Sequence, residues 1–174
     1  KLNNYIEVPT YKDGQWSVTE FSTREEFRDF LLSIFKEPGQ YNFDETTKIF
    51  NAEAKKFQKQ GYYCNAPLKS KDFIAYWDDQ KIKCRHGVIY KEGDSTWYLT
   101  RDYYMWLNFL PIYDKEEKRF DFAKVRDAQY HLALYELLGE LHYKHAIILK
   151  KRQIASSYFH MAKLINQYWF EEGA

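Results

Sequence analysis

The sequence predicts an α/β fold, in which a helical N-terminal region and a small β element lead into the start of a C-terminal sheet. Apolar residues follow helical spacing from Phe27 to Phe35 and again over residues 125–142. After Gly87 the apolar period changes to two, which is the period of a β-strand. An apolar run at 145–149, a short basic segment and a last helical pattern then predict a strand, a turn and a helix.

The N-terminal region is expected to begin irregularly and then to become helical. Residues 1–20 show no clear period, which predicts an irregular or weakly extended lead-in. Ser22 and Thr23 each stand three residues before a glutamate, which is the spacing of a capping box. The helix that they introduce should end at Pro38-Gly39.

Two more helices are expected before the β element. Asp44 is a suitable N-cap for a helix over residues 44–60, and Gly61 is the expected stop of that helix. Ser70 is the expected cap of the next helix, which should cover residues 71–83.

The β element and the C-terminal helices follow from the changes of period. The sequence "VIYKEGDSTWYLT" predicts two strands around a turn that contains Gly93. The apolar run at 103–113 fits a strand or a helix, but Pro111 should end any helix just before it. The last two helices are predicted over residues 125–142 and 155–170.

Composition and charge argue against several classes of protein. Aromatic residues make up 20% of the chain, which is more than a solvated linker carries. The 26 basic and 25 acidic residues give a net charge of +1, so the overall charge does not attract nucleic acid. Cys64 and Cys84 are too few for a disulfide framework. Without a secretory segment or an apolar run of about 20 residues, we expect a cytoplasmic protein that binds no membrane.

The segment between the last predicted strand and the last helix is the best candidate for chemistry. A phosphate loop joins a strand to a helix N-terminus, where free backbone N–H groups and the helix dipole meet anionic oxygens. Its standard pattern is Gly, four further residues, and then Gly-Lys-Ser or Gly-Lys-Thr. The eight positions are here Lys150, Lys151, Arg152, Gln153, Ile154, Ala155, Ser156 and Ser157. Only Ser157 fits the pattern, and a basic loop without a ligand is the alternative.

A resemblance to a known family favours the phosphate loop. The sequence "ILKKRQIASSYFHMAKLI" resembles the deviant Walker A motif of the large terminase subunit of tailed bacteriophages, the ATPase that drives DNA into the capsid. The upstream segments "WDDQKIKCRHGVIY", "STWYLTRDYYMWLNFLPIY" and "RFDFAKVRDAQYHLALYELL" resemble the same family, so that the likeness covers residues 70–172. The expected division is a helical N-terminal region at 1–69, a mixed α/β segment with a hairpin at 70–124, and the start of a P-loop ATPase core at 125–174.

The resemblance implies roles for the residues of the loop. Lys150 and Arg152 would be the catalytic cations, with Lys150 contacting the phosphates from the entrance of the loop and Arg152 lying near them. Ala155 and Ser156 would make the turn, and Ser157 would hold the Mg²⁺ ion of bound ATP. The nucleotide-binding residues implied by the resemblance are Gln129, Lys150, Lys151, Arg152, Gln153, Ile154, Ala155, Ser156 and Ser157.

The same resemblance implies how the base is recognised and which partners the complete protein has. Gln129 would recognise adenine, because a side-chain amide can donate and accept hydrogen bonds at once. Tyr130 or Phe122 would stack on the base. The implied partners are ATP, double-stranded DNA, and portal or other packaging proteins in the cytoplasm of the infected host. Self-association is also expected, because a lone strand leaves open sheet edges.

The length of the chain after the loop affects the expected activity. The residues after Ser157 suffice for one helix and leave no room for an acidic strand or a nuclease domain. Because ATP hydrolysis needs the groups of that acidic strand, we expect a fragment that is inactive alone. One alternative is a non-enzymatic binding or scaffold module that kept a loop-like turn, which explains the missing glycines and lysine. Another is an aromatic-rich module for single-stranded nucleic acid.

Two further motifs have simpler explanations. The sequence "IAYWDDQ" resembles an acidic Walker B strand, but it lies upstream of the loop and suits a solvated helix. Cys64, Cys84 and His86 lack the paired spacing of a zinc site, so structural or incidental roles are expected for them.

Overall fold

The structure is a computed structural model that describes residues 5–35, 64–93, 95–114, 117–123, 127–149 and 155–170. These residues form six strands and five helices. The strands are β1 (Ile6–Lys12), β2 (Gln15–Phe21), β3 (Val88–Glu92), β4 (Ser95–Leu99), β5 (Pro111–Asp114) and β6 (Arg119–Phe122). The helices are α1 (Arg24–Ile34), α2 (Lys71–His86), α3 (Arg101–Phe109), α4 (Asp127–Leu141) and α5 (Ser156–Phe170). The mixed α/β class is therefore as predicted.

The first two strands lie where the sequence predicts an irregular or weakly extended lead-in over residues 1–20, so the chain there is extended and more regular than expected. β1 and β2 pair antiparallel around Asp13 and Gly14, whose φ angles are +50° and +86°. An Asp-Gly pair with positive φ at both residues is typical of a tight hairpin turn. β2 is almost wholly exposed, so it lacks the apolar alternation that reveals a strand in a sequence. The N-terminal region is consequently not helical from its start.

The larger sheet joins this hairpin to the one predicted after Gly87. Its strand order is β2-β1-β3-β4, in which β3 and β4 pair antiparallel and β1 and β3 pair parallel. β5 and β6 pair antiparallel and form a separate two-stranded sheet. The hairpin prediction is confirmed, and the sheet holds together segments that are far apart in the sequence.

The predicted helix caps are confirmed at two helices. The Thr23 Oγ1 atom accepts a hydrogen bond from the Glu26 N–H at 3.1 Å, and the Glu26 carboxylate accepts one from the Ser22 N–H at 2.7 Å. The first bond is the N-cap bond of α1, and the second ties the Glu26 carboxylate to Ser22, the residue before the N-cap. The Ser70 Oγ atom accepts from the Phe73 N–H at 3.1 Å and starts α2.

The remaining helix predictions have different outcomes. The apolar run at 103–113, which fits a strand or a helix by its sequence, contains most of α3. This helix ends before Pro111, and β5 starts at Pro111. α4 and α5 agree with the helices predicted over residues 125–142 and 155–170. The helix predicted at 44–60 and the stop at Pro38-Gly39 lie outside the described residues, and α1 already ends at Ile34.

The strand predicted at 145–149 is wrong in this structure. Residues 144–149 have no regular secondary structure, and Ile147 and Leu149 are 83% and 96% exposed. A short apolar run becomes a strand only where a neighbouring strand pairs with its backbone. Neither of the two described sheets includes this segment, so the start of a P-loop sheet is not confirmed.

Helix α3 lies at the centre of the core. Residues 102–108 are all buried, and α2, α4, α5 and β6 all contact this helix. The ring of Phe159 on α5 contacts the rings of Tyr103 and Trp106. Buried aromatic rings therefore form part of the core, and these contacts fix α5 against α3.

Replacing Gly87 should be much more damaging than replacing Gly93. Gly87 has φ +72° and ψ −166°, a conformation that only glycine adopts readily, and an added Cβ would collide with the Leu99 carbonyl oxygen. Gly87→Ala should lower the free energy of unfolding by at least about 3 kcal/mol. Gly93 has φ +54° with no atom near an added Cβ, so the control Gly93→Ala should lose about 1 kcal/mol. Equal losses in urea unfolding would contradict the close approach of Gly87 to β4.

Candidate functional site

The start of helix α5 has the backbone geometry of a turn into a helix N-terminus. Ala155 has φ +54°, in the left-handed region, and α5 begins at the next residue. The first helical hydrogen bond runs from the Phe159 N–H to the Ala155 carbonyl oxygen at 3.1 Å. The N–H groups of the preceding residues have no acceptor within the helix, which is the general property of a helix start. They are therefore oriented to meet an anion.

Ala155 differs from the residues that cap α1, α2 and α3. Those helices begin after Thr23, Ser70 and Thr100, whose hydroxyl groups each accept a hydrogen bond from the first turn. An alanine methyl group cannot do this. The first turn of α5 therefore has no capping side chain from the residue before it.

The predicted loop residues are divided between described and undescribed parts of the chain. Lys150, Lys151, Arg152, Gln153 and Ile154 lie outside the described residues. The positions of Ala155, Ser156 and Ser157 are described, and these three residues start α5. The Ser157 side chain is exposed, whereas Ser156 is buried. Of the two serines, only Ser157 is open to a ligand.

The residues expected to bind the base lie on α4 and β6. Gln129 is buried on α4, and Phe122 is half-buried at the end of β6. Tyr130 is buried in the core, where its ring contacts Trp97 and Tyr103 and its hydroxyl oxygen accepts from the Tyr98 N–H. The ring of Tyr130 therefore packs against protein, which leaves the half-buried Phe122 as the more accessible of the two stacking candidates.

A charged network that the sequence analysis missed joins α4 to α5. The Lys163 Nζ atom lies 2.9 Å from the Glu136 Oε2 atom and 2.6 Å from the Glu140 Oε1 atom. The His160 Nε2 atom lies 2.7 Å from the Glu136 Oε1 atom. Burial alone would lower the pKa of Lys163, but its hydrogen bonds to Glu140 and Glu136 outweigh burial and raise it. Lys163 is therefore held in its charged form.

A cleft adjoins this network. It has a volume of about 440 Å³ and is bounded by α4, α5 and the segment 144–148. Polar groups on its wall include the side chains of Glu136, Glu140, His160, Lys163 and Lys144. The spacing of Glu136 and Glu140 by four residues and of His160 and Lys163 by three puts each pair on one helix face, which is the signal that could have indicated the network.

The other end of α5 is fixed by one buried amide. The Asn166 Nδ2 atom donates to the Cys84 carbonyl oxygen at 2.9 Å and to the Asp102 Oδ1 atom at 3.0 Å. Asn166 is 1% exposed, so these bonds are shielded from water. They join α5 to α2 and α3, and with Phe159 they set the position of the helix start.

The other sequence motifs have structural roles. The Walker B-like "IAYWDDQ" lies in α2, where Asp78 pairs with Lys81 and Asp79 pairs with Lys83, in agreement with the solvated-helix interpretation. Burial, with a smaller contribution from the nearby Asp102, raises the pKa of the Cys84 thiol to about 12. Within the described ranges, no group of three or more His, Cys, Asp or Glu residues could hold a metal ion.

No protein-family model, curated protein or solved structure matches the chain. No helix in the described part of the chain is long and apolar enough to cross a membrane.

Asp102→Asn should increase stability at neutral pH. Burial raises the pKa of the Asp102 carboxyl, although Arg101 and the Asn166 hydrogen bond oppose this shift. The folded chain therefore binds a proton that the unfolded chain has released, and stability falls as the pH rises above the ordinary value of 3.8. An asparagine keeps the oxygen that Asn166 needs and removes the buried charge.

The stability gain of Asp102→Asn should disappear as the pH is lowered toward 3.8, as measured by thermal unfolding across the pH range. Asp72, in the first turn of α2, is exposed and provides a control at an equivalent helix position. Asp72→Asn should give no gain. A loss of stability in Asp102→Asn at neutral pH would show that the charge of Asp102 is net favourable.

Proposed function

We propose that this chain is the nucleotide-binding part of a terminase-like ATPase that packages viral DNA into a capsid. Mg-ATP would bind at the loop of residues 150–157, against the N-terminus of α5. The resemblance of residues 70–172 to large terminase subunits supplies the family. The geometry at Ala155 supports the location of the site.

The left-handed backbone of Ala155 is the observation that carries this proposal. Among the described residues, five non-glycine residues have positive φ, and the other four are Asp13, Lys69, Lys118 and Tyr143. Each of those four lies in a turn, whereas Ala155 stands directly before a helix. A left-handed alanine costs about 1 kcal/mol, and such strain is concentrated at functional sites. The deviant motif places Ala155 where a standard phosphate loop has its second glycine.

The proposed chemistry assigns a task to each part of the loop. The first N–H groups of α5 would bind phosphate oxygens, with support from the helix dipole. Lys150 and Arg152 would add positive charge, and the exposed Ser157 would donate its oxygen to Mg²⁺. Hydrolysis and the movement of double-stranded DNA, with portal or other packaging proteins, are proposed for the complete motor.

A non-enzymatic binding or scaffold module is the second candidate, and one observation favours it. The apolar residues 146–149 are mostly exposed and pair with no described strand. The adjacent face of α5 also exposes Leu164 and Tyr168. Such a surface is typical of a protein that packs against another part or partner.

Lys150→Ala should weaken nucleotide binding by the chain. A charge-assisted hydrogen bond contributes about 1.5–3 kcal/mol, so the dissociation constant for a fluorescent Mg-ATP analogue should rise about 10-fold to 100-fold. The matched control is Lys12→Ala, which removes an exposed lysine at the end of β1 and should leave the affinity unchanged. Equal effects of the two substitutions would remove Lys150 from the site. Absence of binding by the unaltered chain would favour the scaffold module.

A further inference from the structure

We propose that β2 is a dimerisation edge, at which two copies of the chain pair antiparallel around a two-fold axis through Val18. β2 is the outer strand of the larger sheet, whose order is β2-β1-β3-β4. The pairing joins the sheets of the two copies into one continuous sheet. This inference concerns the β1–β2 hairpin and does not rest on the proposed function.

Pro9 shows which backbone groups of β2 face the open edge. In an antiparallel pair, opposite residues alternate between pairs that exchange backbone hydrogen bonds and pairs that do not. Pro9 lies opposite Val18 and has no N–H to donate, so this pair is of the second kind. The turn agrees, because Lys12 and Gln15 lie opposite each other and close it as a hydrogen-bonded pair. The N–H and C=O groups of Val18 and Glu20 therefore point away from β1.

The edge of β2 lacks the features by which native sheets avoid further pairing. Exposed edge strands are usually protected by lysine, proline, a bulge or a covering element. In the fully described strand β2, every residue pairs with β1 without a bulge, and none is lysine, arginine or proline. Val18 is 56% exposed, and β1 is the only described strand that pairs with β2. β2 therefore presents an open edge to another strand.

A second copy of β2 fits this edge over its full length. When Val18 lies opposite Val18 of the second copy, every residue of β2 has an opposite residue, and the outward backbone groups of the two strands face each other. On one face of the joined sheet, the two Val18 side chains are in contact. On the other face, Ser17 of each copy lies opposite Thr19 of the second copy. Apolar pairs and hydroxyl pairs of this kind stabilise neighbouring strands.

Charge also favours a second copy as the partner. Glu20 is the one charged residue of the described strand β2, and in this register it lies opposite Trp16 instead of another carboxylate. The Lys83 Nζ atom, which also pairs with Asp79, lies 3.9 Å from the centre of the Trp16 ring. Glu20 of the second copy thus approaches a tryptophan beside a lysine, and the two-fold axis repeats this contact.

Sedimentation velocity tests the dimer and its location. A contact of one strand pair is a small, transient interface, so the chain should change from monomer to dimer between about 0.01 and about 1 mM. Val18→Lys places two ammonium groups opposite each other and should raise the dissociation constant of the dimer at least about 10-fold. The matched control Ile74→Lys changes a residue of α2 that is 52% exposed, and should leave the dimer unchanged.

Three results of that measurement would overturn the inference. They are a chain that stays monomeric throughout the range, a dimer that Val18→Lys does not weaken, and an equal loss in Ile74→Lys.

A mixture of two variants tests the two-fold register. Val18→Glu should also weaken the dimer, because it places two carboxylates opposite each other. An equimolar mixture of Val18→Lys and Val18→Glu should dimerise, since each lysine then faces a glutamate. This recovery requires residue 18 of one copy to lie opposite residue 18 of the other. A mixture that stays monomeric would show that the register is wrong.

Amide hydrogen exchange of the unaltered chain tests the edge without any substitution. In dilute solution, Ser17 and Thr19 should be protected, because their N–H groups face β1, whereas Val18 and Glu20 should exchange fast. At high concentration all four should be protected. Exchange of Val18 and Glu20 that does not depend on concentration would contradict the dimer, and their protection in dilute solution would contradict the outward orientation.

Discussion

The burial of helix α3 is the constraint on which the rest of the structure depends. Residues 102–108 are all buried, so this short helix must be surrounded by other elements rather than lie on a surface. Helices α2, α4 and α5 and strand β6 supply that enclosure. Phe159 packs against two aromatic rings of α3, and Asn166 donates to Asp102 at the start of α3. The start of α5, where the candidate site lies, is therefore fixed by contacts made further along the same helix.

Polar bonds inside this aromatic core determine how the helices are oriented. The Tyr104 hydroxyl donates to the Gln80 side-chain oxygen at 2.6 Å, which joins α3 to α2. The Asn166 amide joins α5 to both of these helices. Apolar packing alone tolerates rotation of one helix against another, whereas buried hydrogen bonds require one arrangement to remain satisfied. The position of the Ala155 turn thus depends on a few buried amide and hydroxyl groups.

The outcome of each sequence prediction reflects whether its signal was local. The caps at Thr23 and Ser70 and the hairpin after Gly87 depend on neighbouring residues, and all three are present. The predicted strand at 145–149 needed a partner strand that the apolar run itself cannot indicate, and no described strand pairs with it. The Asp13-Gly14 turn is also a local signal. It does not by itself indicate a hairpin in the sequence, because the exposed β2 lacks the apolar alternation of a strand.

The sequence predicts the local part of the candidate site but does not predict the contacts between its two helices. The turn before the last helix and the importance of Ala155 follow from the order of residues along the chain. The bridge from His160 to Glu136 joins residues on two helices, so it depends on how α4 and α5 lie against each other. Sequence spacing could show that each residue has a charged neighbour on its own helix, but it could not show that the two helices share one network.

The proposed function requires that the start of α5 is a nucleotide-binding turn. Backbone amide spectra of the ¹⁵N-labelled chain, recorded with and without Mg-ATP, test this claim most directly. If nucleotide binds there, the largest changes should occur at residues 150–158 and should extend to Gln129 on α4. Spectra that are unchanged at these residues, or that change only at a distant surface such as the β1–β2 hairpin, would contradict it.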